Sequence, residues 1–179
     1  FDCTGTNCDE GINEWITTEN DTVTGLSPNT EYTFAVKARN YDGTETLYSA
    51  TQSIYTLSDT PILTAGTITS TQIGLTSSLA NIALGTSGLY FDCTGEGCDT
   101  GINEWIKETS DTATGLSPNT LYTFVVKGRN AQNVETVNSQ SVNIYTLASV
   151  PTISADTIST NSISFTIGDV ANLTEGNSG

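Results

Sequence analysis

The sequence contains no histidine and no methionine, and it has only 5 lysine and arginine residues against 20 aspartate and glutamate residues. Histidine is the side chain that most often serves as an acid or base near neutral pH, so its absence removes a large class of catalytic sites. The chain also lacks a G-x-S-x-G motif, a glycine-rich phosphate loop and a cysteine with a basic partner. We therefore expect no enzyme activity and no catalytic residues.

The shortage of basic residues leaves a formal charge of −15 at pH 7. A charge of that sign repels phosphate groups and argues against nucleic acid and anionic membranes as partners. No apolar run is long enough to span a bilayer, and no secretory signal is recognisable. Because position 1 is Phe1 rather than methionine, we expect a processed product or a window of something longer.

The four cysteines form two C-x4-C pairs, Cys3 with Cys8 and Cys93 with Cys98. A disulfide across each short loop is the simplest interpretation, and it indicates an oxidising, extracellular or cell-surface setting. Closing so small a ring contributes roughly 2 kcal/mol if the effect is one of chain entropy. Zinc is disfavoured, because it needs about four ligands and each pair offers two thiols without a histidine.

An internal repeat dominates the chain. The segment LSPNTEYTFAVKARN, residues 26–40, recurs as LSPNTLYTFVVKGRN, residues 116–130, at an offset of 90 residues. Phe91 repeats Phe1 at the same offset. About 90 residues is the size of one immunoglobulin-like sandwich, so the chain holds two units' worth of material.

The repeated segment predicts a half-buried strand that follows a turn. In the second copy Tyr122, Phe124 and Val126 fall on one face, as the two-residue period of a strand requires. A tyrosine that begins a strand just after Leu-x-Pro matches the tyrosine corner of β-sandwiches, whose hydroxyl bonds to backbone a few residues upstream.

The strand order, the LSPNTxY corner and the ends delimited by Pro61 and Pro151 resemble fibronectin type III modules, particularly those found in tandem in bacterial surface and secreted proteins. The resemblance implies an all-β chain of tandem immunoglobulin-like sandwiches with scaffold, spacer or adhesion roles. Such modules usually carry a tryptophan on the second strand, whereas here Trp15 and Trp105 lie further on. A core or sheet-face position is favoured for both over a sugar-stacking platform.

The phase of the repeat predicts three segments. Residues 1–60 form an incomplete sandwich without its first two strands, residues 61–150 form a complete sandwich, and residues 151–179 supply two strands of a further one. Covering the open face of the incomplete sandwich is worth on the order of 8 kcal/mol, which compares with the stability of a whole small domain. The tail residues suited to cover it are Ile158, Ile163, Phe165 and Ile167.

We therefore predict that the last two strands of one copy complete the first sandwich of the next copy, as in donor-strand complementation. Repeated head to tail, this contact makes the chain the structural subunit of an extracellular filament or surface appendage, with copies of itself as partners. The rival interpretation is a stretch of a longer covalent array. In that case the function would be that of a spacer, adhesive or carbohydrate-binding module within a longer secreted enzyme or adhesin.

Three minor possibilities remain open. We expect no cofactor, and calcium is the best alternative to that expectation, because oxygen ligands suit this ion and carboxylates lie close to the cysteine loops. These carboxylates are Asp2, Asp9, Glu10, Asp92, Glu96 and Asp99.

Asn20 and Asn172 begin N-x-T sequons, so both are candidate glycosylation sites. Four basic residues line the outer face of the repeated strand, where we expect solvated or weak cross-strand ion pairs; these are Lys37, Arg39, Lys127 and Arg129.

Overall fold

The computed structural model describes the chain except for residues 6, 7, 9–11, 13, 96, 99 and 173–179. Within this described part the regular secondary structure consists of β-strands alone, all paired antiparallel. The predicted all-β class is therefore confirmed. The strands are β1 (Asp2–Thr4), β2 (Glu31–Ala35), β3 (Gln52–Tyr55), β4 (Thr64–Ile68), β5 (Gln72–Thr76), β6 (Gly88–Thr94), β7 (Trp105–Ile106), β8 (Ser110–Thr114), β9 (Leu121–Arg129), β10 (Val142–Tyr145), β11 (Thr152–Ile158) and β12 (Ile163–Gly168).

The chain divides into two compact units. Unit 1 contains Phe1–Thr60 together with two later segments, Leu79–Gly88 and Gly128–Val137. Unit 2 contains Pro61–Ser78, Leu89–Lys127 and Asn138–Gly179. Two segments that the repeat assigns to residues 61–150 are thus grouped with residues 1–60.

Unit 2 contains a β-sandwich. One sheet has the order β4-β5-β8 and the other has the order β10-β9-β6-β7. The inner faces of both sheets consist of apolar side chains that are fully excluded from solvent. They are Ile73, Leu75, Ala113, Leu89, Phe91, Phe124 and Val126. Seven antiparallel strands divided three and four between two sheets constitute the predicted immunoglobulin-like sandwich.

The repeated strand behaves as its alternation predicts. In β9, Tyr122, Phe124 and Val126 are buried while the residues between them are partly exposed. The hydroxyl of Tyr122 accepts a hydrogen bond from the backbone N–H of Ser117 at 2.9 Å, so the tyrosine corner is present. The corner in unit 1 is the same, with the Tyr32 hydroxyl accepting from Ser27 N–H at 2.9 Å.

The described residues of unit 1 form one sheet of three strands, in the order β1-β2-β3. Its core is small and includes Cys3, Cys8, Ile12 and Tyr32, with Val23, Leu26 and Phe34 packed against it while partly exposed. Disulfide bonds join Cys3 to Cys8 and Cys93 to Cys98. A core of this size is centred on one stapled loop and one tyrosine, so it leaves much of the sheet uncovered.

Candidate assembly site

The β11–β12 hairpin repeats the β4–β5 hairpin in register as well as in sequence. In β4–β5, Ala65 pairs with Leu75, and the register then shifts. In β11–β12, Ala155 pairs with Phe165, and the register shifts at the same place. The two hairpins are therefore equivalent structural elements.

Their surroundings differ completely. Ile73 and Leu75 of β5 are each 0% exposed, whereas their counterparts in β12, Ile163 and Phe165, are 55% and 58% exposed. The remaining large apolar side chains of the later hairpin are exposed as well; they are Ile153, Ile158 and Ile167. One hairpin is thus the wall of a hydrophobic core, and the other presents the same wall to solvent.

The difference follows from strand pairing and from sheet packing, because the β4-β5-β8 sheet packs against a second sheet in the sandwich of unit 2. β5 pairs with β8, so that Ile73 lies opposite Ala113 and Leu75 opposite Asp111. β11 and β12 pair with each other and with no other described strand. An apolar row on an unpaired edge is a surface that sheet proteins normally cover.

Unit 1 has the complementary deficiency. Val36 and Ile54 are 40% and 51% exposed, whereas Val126 and Ile144 at the same repeat positions are 0% and 6% exposed. The sheet of unit 1 therefore exposes part of the apolar face that is covered in the sandwich of unit 2.

The segment that should be the partner strand in unit 1 is not a strand. Residues 110–114, SDTAT, form β8, which pairs with β5. Residues 20–24, NDTVT, occupy the same repeat position but have no strand structure. Because residues 20–24 repeat the β8 sequence, the repeat predicts a strand there as well, and that prediction is wrong. A β-strand needs a partner for its backbone hydrogen bonds, and in unit 1 none of the described strands supplies it.

A second feature of unit 1 is a cluster of hydrogen-bonded amide groups around the buried Asn29, which we call the asparagine corner. This residue has a φ of 46°, and its side chain is fully buried. Its Nδ2 donates to the carbonyl of Ala80 at 2.8 Å and to Ser87 Oγ at 2.9 Å. Its Oδ1 accepts from the N–H of Ala131 at 2.9 Å, and its carbonyl accepts from Asn81 Nδ2 at 3.1 Å.

Unit 2 has an equivalent asparagine corner at Asn119, in which the bonds to the segment about 52 residues later recur. Its φ is 48°, and its Nδ2 donates to the carbonyls of Ala171 and Asn172 at 3.1 and 3.0 Å. Asn172 Nδ2 donates back to the carbonyl of Asn119 at 3.1 Å and to Thr120 Oγ1 at 2.9 Å. Unlike Asn29, Asn119 is only half-buried.

Sequence reasoning missed the asparagine corners at Asn29 and Asn119. They join residues about 52 positions apart, and such contacts leave no local periodicity to detect. The available signal was the asparagine of LSPN in both copies, together with Asn81 and Asn172, which lie at nearly the same repeat phase.

The basic side chains of unit 1 form a stack with aromatic rings. The Arg39 guanidinium lies 4.3 Å from the ring centre of Trp15, and Lys37 Nζ lies 5.1 Å from that of Tyr48. Lys37 also forms an ion pair with Glu45 at 2.6 Å. Its hydrogen bond to Glu45 raises the pKa of Lys37 above its usual value. A cavity of about 320 Å³ adjoins Trp15 and Tyr48.

The equivalent stack in unit 2 contains Tyr90, Trp105 and Lys127. The two rings are 5.3 Å apart, and Lys127 Nζ lies 5.1 Å from the centre of Tyr90. Trp105 belongs to β7 and Tyr90 to β6, so this tryptophan lies on a sheet face beneath a basic side chain, as expected. Arg129 differs, since its Nη1 donates to Asn133 Oδ1 at 2.9 Å.

The candidate calcium ligands are only partly described. Asp2 lies in β1 and Asp92 in β6, while Asp9, Glu10, Glu96 and Asp99 lie outside the described residues. Among the described residues, no group of three or more histidine, cysteine or acidic side chains is placed to hold a metal ion. Calcium binding at the cysteine loops stays a prediction.

The two sequon asparagines lie in different settings. Asn20 is exposed. Asn172 is exposed too, but its Nδ2 donates to Asn119 and Thr120 in the corner of unit 2, and that nitrogen is the atom to which a glycan would be joined. Attachment at Asn172 would therefore compete with the corner, whereas attachment at Asn20 has no such cost.

No protein-family model and no curated protein matches the chain. Solved structures with similarity include a family 28 exopolygalacturonase of Yersinia enterocolitica, at 18% identity over 51% of this chain and 21% of that one, with a TM-score of 0.38. The FN1–FN3 domains of chicken CNTN1 match at 22% identity over 71% of this chain and 45% of that one, with a TM-score of 0.37. A fibronectin III array of RIM-binding protein matches at 16% identity over 81% and 57%, with a TM-score of 0.34.

This chain spans about a fifth of the first structure's length and about half of the other two. These similarities concern the β-sandwich fold alone. The described residues also contain no helix that is long and apolar enough to cross a membrane.

Proposed function

We propose that the chain is the non-enzymatic structural subunit of an extracellular filament or surface appendage, in which the β11–β12 hairpin of one copy completes the open sandwich of the next. The observation that carries the proposal is a pair of complementary exposed surfaces, one on the β11–β12 hairpin and one on the sheet of unit 1. The hairpin is exposed where its counterpart is buried, and the sheet of unit 1 is exposed where its counterpart is covered.

The repeat also specifies how the two surfaces would meet. In the sandwich of unit 2, Ile73 of β5 lies opposite Ala113 of β8. Ile163 is the repeat equivalent of Ile73, and Val23 is that of Ala113, so Ile163 of one copy would lie opposite Val23 of the next. Phe165 then lies opposite Asp21, and residues 20–24 become a strand between the donated hairpin and the rest of unit 1.

Burial supplies the driving force. Four hairpin side chains have counterparts that are buried in the sandwich of unit 2; they are Ile153, Ile163, Phe165 and Ile167. Covering the exposed part of each contributes a little over 1 kcal/mol, so the donor side alone contributes about 5 kcal/mol. Burial of Val36 and Ile54 on the acceptor side and a new hydrogen-bond ladder add to it.

The contact is heterologous, since the donor and the acceptor are different surfaces of the same chain. Repetition of such a contact produces an open linear polymer unless the geometry closes a ring. The two disulfides suit an oxidising compartment, and we propose an extracellular or cell-surface location on that ground.

Cysteine cross-linking of the full-length chain tests the register. Facing residues of an antiparallel pair have Cα atoms about 4.5 to 5.5 Å apart, within the range of a disulfide. The variant Val23→Cys/Ile163→Cys should oxidise to a ladder of dimers, trimers and larger species on a non-reducing gel. The matched control Val23→Cys/Ser164→Cys places the second thiol on the opposite face of β12 and should stay mainly monomeric.

Two results would contradict the proposal. A single oxidised band of monomer mass would mean that the hairpin folds back onto its own chain. Monodisperse monomers of the unmodified protein at micromolar concentration, seen by sedimentation and by electron microscopy, would mean that the copies do not associate.

The exposed side chains of Trp15 and Tyr48, beside a cavity of about 320 Å³, favour a second candidate function. We propose as the alternative a spacer, adhesive or carbohydrate-binding module of a longer secreted protein, since exposed aromatic rings can stack on sugars. Affinity electrophoresis against soluble polysaccharides tests it. Retardation that is lost in Trp15→Ala, but kept in Trp105→Ala, would support this alternative.

A further inference from the structure

The loop of residues 130–132 closes the Asn29 corner within unit 1. Asn130 is buried, and its Nδ2 donates to the carbonyl of Thr56 at 3.1 Å. The next residue, Ala131, donates its N–H to Asn29 Oδ1 at 2.9 Å. Two adjacent donors of this loop thus satisfy two acceptors of the corner, which is what buried polar groups require.

The loop of residues 40–42 has the same turn but lies open to solvent. Asn40 Oδ1 accepts from the N–H of Thr44 at 2.8 Å, just as Asn130 Oδ1 accepts from Val134 at 2.8 Å. Asn40 is nevertheless exposed, and Tyr41 is 104% exposed. The loop therefore holds its docked shape without being docked, so little ordering is needed when it binds.

We propose that Asn119 and Thr146 of one copy form the receptor for residues 40–42 of the next copy, an inference that rests on the proposed function. The occupant follows from the repeat, because Asn119 and Thr146 lie 90 residues after Asn29 and Thr56, and Asn40 and Tyr41 lie 90 residues before Asn130 and Ala131. Asn40 Nδ2 then donates to the Thr146 carbonyl, and Tyr41 N–H donates to Asn119 Oδ1.

The tail of the donor copy has already built its part of this contact. Asn172 is bonded to Asn119 and Thr120 as Asn81 is bonded to Asn29 and Thr30. A copy whose hairpin docks therefore brings a preformed corner with it. The second contact uses amide groups and not the apolar face, so it can be removed separately.

The test uses the full-length variant Asn40→Asp. The carboxylate keeps the acceptor for Thr44 N–H but loses the donor, and it places an acceptor against the carbonyl of Thr146. We expect the critical concentration for polymerisation to rise by on the order of tenfold, with the melting temperature of the unassembled chain unchanged. The control Asn138→Asp makes the same charge change at an exposed residue of unit 2 and should polymerise like the unmodified chain.

Amide hydrogen exchange gives an independent measurement. The N–H of Tyr41 should exchange quickly in the monomer and become protected in the polymer. If the unmodified chain forms no polymer, the proposed function fails and this inference with it. If polymers form, but Asn40→Asp assembles at the unmodified critical concentration and the Tyr41 amide stays unprotected, the inference alone is wrong and hairpin donation stands.

Discussion

Two alanine substitutions at the same position of the repeat should affect two different properties, one the assembly of copies and the other the stability of each copy. Phe165 of β12 and Leu75 of β5 are related by 90 residues, and one is 58% exposed while the other is 0% exposed. If the hairpin is a donor, Phe165→Ala removes contacts that exist only in the polymer, whereas Leu75→Ala removes contacts that exist in every folded copy.

The structure sets the sizes. Full burial of a phenylalanine side chain contributes about 1.5 to 3 kcal/mol, and more than half of the Phe165 surface is still to be buried, so we expect a loss of about 2 kcal/mol once a small cavity term is included. That loss corresponds to roughly a 30-fold higher critical concentration. Leu75→Ala should instead destabilise the unassembled chain by about 2 to 5 kcal/mol.

The assays are light scattering against protein concentration, for the critical concentration, and calorimetry below it, for the melting temperature. Phe165→Ala should change the first and leave the second unchanged. A critical concentration unaffected by Phe165→Ala would refute the reasoning, because it would show that this side chain remains in solvent in the polymer. A fall in melting temperature as large as that of Leu75→Ala would refute it too, since Phe165 would then belong to the core of its own copy.

Three further predictions concern charge and local stability. Each copy carries a formal charge of −15, so raising NaCl from about 10 mM to about 500 mM should screen the repulsion and lower the critical concentration; CaCl₂ at equal ionic strength should do no more unless calcium binds at the cysteine loops. Tyr122→Phe deletes the corner hydrogen bond to Ser117 and should cost about 1 kcal/mol in thermal unfolding, with Tyr90→Phe as a control outside the corner. The raised pKa of Lys37 means that its interaction with Glu45 stabilises the fold below pH about 10.5 and is lost as the pH rises through the folded-state pKa, so melting curves of the unmodified chain and Glu45→Gln should differ at pH 8 and converge at strongly alkaline pH.

The features that the sequence predicts well are local ones. The alternation in residues 121–129 and the turn at Leu116–Ser117–Pro118 define a strand and a tyrosine corner within about 15 residues, so no distant contact is needed to recognise them. The exposed state of Ile163 and Phe165 could be anticipated for a related reason, since the repeat shows which partner strands each hairpin should have.

Contacts between residues that are far apart in the sequence could not be predicted from it. Residues 20–24 carry the β8 pattern without forming a strand, because strand formation depends on a neighbour that side-chain type does not encode. The grouping of Leu79–Gly88 and Gly128–Val137 with unit 1 also depends on distant contacts, since those loops are held by side-chain amide hydrogen bonds that involve Asn29 and Thr56. A polar residue in a turn is usually exposed to solvent. Asn29 is an exception, because its side chain is buried and forms hydrogen bonds to residues far from it in the sequence.

The β11–β12 hairpin also has a consequence for biosynthesis if it acts as the donor. Among the described strands none pairs with its outer edges, and one of its faces is apolar, so two hairpins could pair with each other before either meets an acceptor. Under the proposed function, such mispaired dimers would stop further assembly at both copies. A chaperone that shields the hairpin, or export fast enough to keep its local concentration low, would prevent this outcome.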